Sequence, residues 1–447
     1  MIFAFESLLN LKSMRAKIIP IIYSLIFISL VISSCEDTTL REYKGYAPVY
    51  LSYKDLRSSV GPAMNVDIQN PGKICFKDNY IFIVEEMKGI HVFDNTDPSN
   101  PVKKAFIKLP GVVDISISGS ALYADSYIDL VVLDVSNIQN IHEVGRVNDI
   151  LPYTIPATKN NDYPMAYVDK EKGVVTGWEL RTIKEKIDIN PNPNPYPLYY
   201  DNSTFSYYKT NNAAGASSGV SGSGIGIGGS MARFGIKDKV LYIVESSVLK
   251  ILDITDMASP ARITDGNIGW NTETMFLKGN RMFLGTTTGM AIYDISSPFS
   301  PFPVTFFSHA RSCDPVIVDD TLAYVTLRTG TFCGGNQNLL EIINIKDITR
   351  PVSVVSYFMT DPHGLGKDGD LLFICDGSAG LKIYNAADPK MLLGNLIYTY
   401  PNIQAYDAIP IGKVLVLISE DGLFQYDYSN VKNITLLSKI PVVKSTK

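Results

Sequence analysis

Gly89-Ile90-His91-Val92-Phe93-Asp94-Asn95-Thr96-Asp97-Pro98-Ser99-Asn100-Pro101 is an apolar run that stops at an aspartate and then turns through Asp, Asn and Pro. The phrase returns along the chain. Leu130-Val-Val-Leu-Asp134 leads to Asn137, and Leu249-Lys-Ile-Leu-Asp253 leads to Asp256 and Pro260. Gly289-Met-Ala-Ile-Tyr-Asp294 leads to Pro298, and Leu340-Glu-Ile-Ile-Asn344 to Asp347 and Pro351. Gly380-Leu-Lys-Ile-Tyr-Asn385 leads to Asp388 and Pro389, and Gly422-Leu-Phe-Gln-Tyr-Asp427 to Asn430. The residues closing these runs recur every 40 to 50 positions, except for one interval of 119 between Asp134 and Asp253. Periods of this size mark propellers, solenoids or arrays.

Each unit reads as four short strands. In the second, Val113–Ile117, Ala121–Asp125, Leu130–Asp134 and Glu143–Val147 are separated by turn residues. Short apolar or alternating runs bounded by Gly, Asn, Asp and Pro form strands joined by tight turns. Four antiparallel strands in about 41 residues make one propeller blade. Stacking blades around an axis buries the faces that one small sheet leaves open. A β-helix or β-sandwich is the structural competitor, but so many equal units exceed one sandwich. The expected fold is therefore all-β, a β-propeller with blades of four antiparallel strands.

The long interval has room for a hidden unit and an insertion. Met165–Asp169 and Val174–Leu180, with Thr204–Tyr208 as a third strand, are the candidate degenerate unit. Eight blades are expected on that count, with seven as the alternative. The insertion covers about residues 181–230. It has a stiff Pro/Asn tract at 190–197 and a Gly/Ser tract at 213–230. Pro48–Tyr53 reads as a rim strand that helps to close the ring.

The N-terminus has a different character. Arg15 and Lys17 precede an apolar run from Ile18 to Ile32, a signal peptide over residues 1–34 with Met14 as a candidate start. Ile32-Ser33-Ser34-Cys35 resembles the lipobox of bacterial lipoproteins. The resemblance implies cleavage before Cys35 and lipidation of it, which anchors a chain far better than one acyl group would. Residues 35–60 form the lipidated tether, and 61–447 the propeller. Glu36 and Asp37 resemble the acidic signal for surface transfer in Bacteroidetes-type lipoproteins. The expected location is a bacterial outer membrane, with the chain lipid-anchored and surface-exposed.

The 40 basic and 45 acidic residues give a net charge of −5 with no basic stripe, so no nucleic-acid partner is expected. The 26 tyrosines suit half-buried pleated positions. Gly224-Ile-Gly-Ile-Gly-Gly229 meets the G-x-G-x-x-G string but lacks the helix that a dinucleotide site needs. The four histidines have no ligand spacing, so neither metal nor cofactor is expected.

His91 and His142 fall in strands, at packed or rim positions. His309, Arg311, Asp314 and His363 sit in stretches leading into the first strand of a unit, where propellers line the mouth of their channel. Asp114, Glu273 and Asp407 occupy similar entries in other units. This ring either binds a cation or small polar ligand, or joins neighbouring blades by hydrogen bonds. Cys75 and Cys375 lie in apolar strands and should be buried thiols. Cys313 and Cys333 flank one hairpin and form a candidate disulfide in an exported chain. The recurrent Asp and Asn should accept hydrogen bonds from the backbone of the following turn.

The phrases Leu130-Val-Val-Leu-Asp134, Leu249-Lys-Ile-Leu-Asp253 and Gly380-Leu-Lys-Ile-Tyr resemble the LVIVD-repeat family, across about residues 72–440. That resemblance implies a propeller, commonly a lipoprotein of Bacteroidetes-like bacteria, and no agreed catalytic residue. The expected role is a binding or scaffold propeller for a protein or glycan partner, without catalysis. The alternative is a glycan-active hydrolase or lyase using the channel mouth, which would need a carboxylate pair.

Overall fold

The computed structural model describes residues 38–63, 66–158, 162–188, 232–286, 288–308, 315–329 and 337–443. They divide into two compact units. The larger unit, residues 49–157, 169–177 and 201–447, is a β-propeller.

Blade 1 is built from Pro71–Lys77, Tyr80–Glu85, Gly89–Asp94 and Val102–Lys108, with the short Gly61–Pro62 added at its outer edge. Blade 2 runs Ile115–Ser118, Ala121–Ser126, Asp129–Asp134 and His142–Val147. Blades 5, 6 and 7 repeat the order from Val316 to Phe358, Leu365 to Tyr400 and Asp407 to Pro441.

Blades 3 and 4 share one six-stranded sheet because two strand runs continue through their turns. Val240–Asp253 holds the second and third strands of blade 3 and reverses at Ser246, where φ is 57°. Ile254 N–H donates to Lys239 O and closes this hairpin, as Asn95 N–H to Asn79 O does in blade 1. Ala261–Lys278 begins as the outer strand of blade 3 and ends as the first strand of blade 4.

The described residues form seven blades, the alternative count. The expected eighth unit does not form. Val174–Asp188 instead pairs with Thr38–Leu51 in a separate two-stranded sheet. The reason is visible in its burial. Val174 and Val175 are buried, whereas the next five residues are exposed or half-exposed, too polar to lie between two blades. Lys170–Lys172 is a 3₁₀ turn rather than a hairpin. Pro48–Leu51 therefore belongs to this ribbon and closes no blade.

The smaller unit, residues 1–48, 158–168 and 178–200, contains the remainder of the ribbon. Lys184 pairs with Glu42 (3.3 Å), and Tyr46 packs edge-on against Tyr163 (6.1 Å).

The ring closes without a shared strand: blade 7 and blade 1 are each built from one continuous stretch. Ile74, Ile81 and Ile83 pack on Ile409, Val416 and Ile418 across the seam. Asn95 and Gln425 exchange two amide hydrogen bonds there (2.9 and 2.7 Å). Val443 N–H donates to Ile68 O (2.7 Å). Similar apolar clusters join the other blades, each fully buried Ile, Leu or Val contributing about 1.5–3 kcal/mol. Cys75 and Cys375 are buried free thiols within these layers.

The repeated Asp or Asn has the structural role expected of it in all seven blades. Asp94, Asp134, Asp253, Asp294, Asn344, Asn385 and Asp427 each accept the backbone N–H two residues on, at 2.7–3.1 Å. In six blades a second side chain repeats the turn three positions later, as Asp97 does with Ser99 N–H. The sequence pattern did not announce another shared feature. Every outer strand carries a bulge opposite the two residues before the marker. An extra residue there sharpens the local twist.

Candidate functional site

The residue just before each first strand's leading apolar side chain faces the same place in every blade. In blades 1 to 7 these residues are Lys73, Asp114, Arg233, Thr274, Pro315, Gly364 and Asp407. First strands of neighbouring blades touch from blade 1 round to blade 7, and Asp407 acts on Lys73 across the seam, so these positions circle the channel mouth. Charges alternate along blades 7, 1, 2 and 3 as Asp407, Lys73, Asp114 and Arg233. The other arc carries none.

Arg233 is the centre of this arc. Its Nη1 donates to Glu245 Oε1 and its Nη2 to Asp125 Oδ2, both at 2.7 Å. Its backbone N–H donates to Asp114 Oδ2 (2.8 Å). Asp125 Oδ1 accepts the N–H groups of Val113 and Asp114 (2.7 and 2.9 Å). Burial pushes the Asp125 and Glu245 carboxyls above their ordinary values, and Arg233 opposes the rise. One guanidinium faces three carboxylates, so neither is pulled fully back. Burial also works against the Arg233 charge, but Glu245, Asp125 and Asp114 outweigh it and hold its pKa above the usual. Lys73 is pushed down by burial, against the pull of Asp114 and Asp407.

A carboxylate at the end of a second strand plays one backbone role in three blades. Like Asp125, Glu85 accepts two successive N–H groups, from Gln69 and Asn70 (3.0 and 2.9 Å). Asp376 does so from Thr360 and Asp361 (2.9 and 2.8 Å). These side chains fix the loop that enters each first strand, where free backbone donors would be costly.

Of the residues expected at the mouth, Asp114 and Asp407 lie on the ring, and both act on Lys73. They are 3% and 0% exposed, so they face neighbouring blades rather than open solvent. Gly364 is the close approach that admits Asp407: a Cβ there would lie 2.0 Å from Asp407 Oδ1.

His363 lies one residue before the ring and belongs to a different cluster. Its Nε2 is 3.1 Å from Asp361 Oδ2 and 3.3 Å from Arg328 Nη1, and its ring packs on Tyr406 (5.4 Å). Burial, then the Arg328 charge, push its pKa down. Glu273 falls in the strand Ala261–Lys278, and its side chain lies outside the described residues. His309, Arg311, Asp314, Cys35, Cys313 and Cys333 also lie outside them. His91 is packed against Phe106, whereas His142 is exposed at the start of an outer strand. Sequence reasoning missed Lys73, Asp125, Arg233 and Glu245. A signal for the first and third was present: each precedes the first apolar residue of a unit, as Asp114 does. Among the described residues no group of three His, Cys, Asp or Glu side chains could hold a metal ion.

The LVIVD repeat family model matches residues 111–149, which is blade 2 with its entry and exit. The chain is a β-propeller that carries an LVIVD repeat. No curated protein matches the LVIVD-repeat chain in sequence. Among solved structures it resembles BamB from Moraxella catarrhalis at 11% identity and a TM-score of 0.46, covering 87% of this chain and 98% of that one. Sqt1 from Saccharomyces cerevisiae gives 8% and 0.49, covering 85% and 89%. A chain of a mitotic checkpoint complex gives 11% and 0.46, covering 80% and 87%. Likeness at this level carries no information on function.

Proposed function

We propose that this LVIVD-repeat propeller is a lipid-anchored binding protein of a bacterial outer membrane, exposed at the cell surface, that holds a protein or glycan partner without transforming it. One observation carries the reading. Three of the four acidic groups described at the channel mouth, Asp114, Asp125 and Glu245, are committed to Arg233 and to the backbone of neighbouring blades, which leaves no uncommitted pair of carboxyls there. A hydrolase needs one carboxyl free to donate a proton and another free to attack or to activate water. The rival reading, a glycan hydrolase or lyase, would draw on Asp125 and Glu245, whose carboxyls burial pushes up. Raised carboxyls are common at active sites, but structural ion networks raise them too. Support for the anchor is the Ile32-Ser33-Ser34-Cys35 box behind a basic, apolar leader.

Fatty-acid labelling and membrane fractionation of the native chain and of Cys35→Ser test the anchor. Label and membrane retention lost together in the variant is the expected result. Crosslinking on intact cells tests the binding role, with one partner recovered reproducibly and lost when the propeller is deleted. Glycan cleavage by the purified chain, abolished by Glu245→Gln with the fold intact, would establish the rival instead.

A further inference from the structure

Lys77 ends the strand Pro71–Lys77 that carries Lys73 and Asp78 opens the turn after it, so that turn lies at the far end of the first strands from the channel mouth. There, between blades 1 and 2, is a cleft of about 530 Å³. Its walls are Lys77, Asp78, Tyr80 and Phe82 of blade 1 and the Ser136–Gln139 turn of blade 2, with Val135 beneath. Phe82 and Val135 are buried, Tyr80 is half-buried, and Asn137 and Gln139 are exposed. The volume suits a small-molecule site, where apolar and aromatic walls carry a few placed polar groups.

Three of its polar groups are uncommitted among the described residues. Asn137 uses its amide oxygen to accept Gln139 N–H (3.0 Å), which leaves its NH₂ without a partner in the described residues. The Gln139 amide and the Tyr80 hydroxyl have none there either. Charge is balanced, since Lys77, the one cation of the wall, pairs with Asp78 (2.5 Å). An anion would find its only cation already paired. A purely apolar ligand would leave two amides and a phenol desolvated and unmet, which costs free energy. A sugar ring fits both halves: its C–H face suits an aromatic wall, and its hydroxyls suit amides that donate and accept.

We propose that this cleft binds a neutral saccharide of one or two rings, gripped by Tyr80, Asn137 and Gln139. This deepens the reading of the chain as a binding propeller and rests on it.

The test is saturation-transfer NMR and calorimetry on the purified chain with glucose, galactose, mannose, N-acetylglucosamine, cellobiose and chitobiose. At least one should bind. Gln139→Ala and Tyr80→Ala should each weaken it about three- to ten-fold, the size of one lost hydrogen bond. Phe358→Ala, at an exposed position on the outer strand of blade 5, should leave it unchanged. Thermal unfolding of each variant shows that it is folded. The proposal is overturned if none of the six binds, or if binding survives both cleft substitutions. A partner still crosslinked in that event keeps the wider binding role alive, whereas loss of both ends it.

Discussion

The two ends of the first strands make opposite use of polar side chains. At the channel mouth Lys73, Asp114, Arg233 and Asp407 come from four blades; three of them are buried, and Arg233 is half-buried with its guanidinium on Asp125 and Glu245. At the other end Asn137 and Gln139 project from one turn into solvent, with the Asn137 NH₂ and the Gln139 amide unmatched among the described residues. A buried charge must find partners or the fold fails, whereas an exposed amide keeps water until something displaces it. The mouth therefore holds the ring together, and the cleft is the place with bonding capacity left for a ligand.

Substitutions at each end should separate these roles. The largest effect belongs to Arg233→Met, which leaves Asp114, Asp125 and Glu245 buried around an apolar side chain. Denaturant unfolding should show a loss of about 3–5 kcal/mol. A loss below about 1 kcal/mol would mean that the mouth is not what braces the blades. Gly364→Ala comes next, because its Cβ would drive into Asp407 Oδ1 and Tyr406 O. Overpacking of this kind costs about 1–3 kcal/mol, read from the same unfolding curves.

Asp294→Ala removes the acceptor of Ser296 N–H from one turn. It should cost about 0.5–1.5 kcal/mol by the same measure, with ligand binding untouched. Glu245→Gln probes pH. Its folded carboxyl is raised, so its contribution is complete below the ordinary carboxyl range and is lost as pH rises through the raised value. The variant should flatten the decline in melting temperature as pH rises above the ordinary carboxyl range. An unchanged slope would contradict the raised carboxyl. Gln139→Ala, at the cleft, should change stability by less than about 0.5 kcal/mol while weakening the saccharide.

Much of the fold was legible because the signals that specify it are local. An Asp that ends a strand and accepts the N–H two residues on needs only its own turn, and all seven markers do this. Cys75 and Cys375 announced their burial by the apolar strands around them. The count of blades was not local. Val174-Val-Thr-Gly-Trp178 reads as a blade strand until its partner is known, and that partner is Thr38–Leu51, more than a hundred residues earlier. At the candidate site, Asp114 and Asp407 could be picked out by their place in the unit. Arg233 was hidden behind the insertion, where the phrase that marks its blade comes later, at Leu249.

By itself the sequence determined the repeat, the blade size, the turns that end each third strand and the identity of the apolar faces. These follow from side-chain periodicity and from hydrogen bonds that span two or three residues. Only the tertiary structure decided that seven blades close the ring, that the outer strands bulge at one shared level, and that six charged side chains from four blades meet at one end of the channel. Those outcomes depend on which distant segments pair and on burial shared across blade boundaries, and neither is written in any single unit.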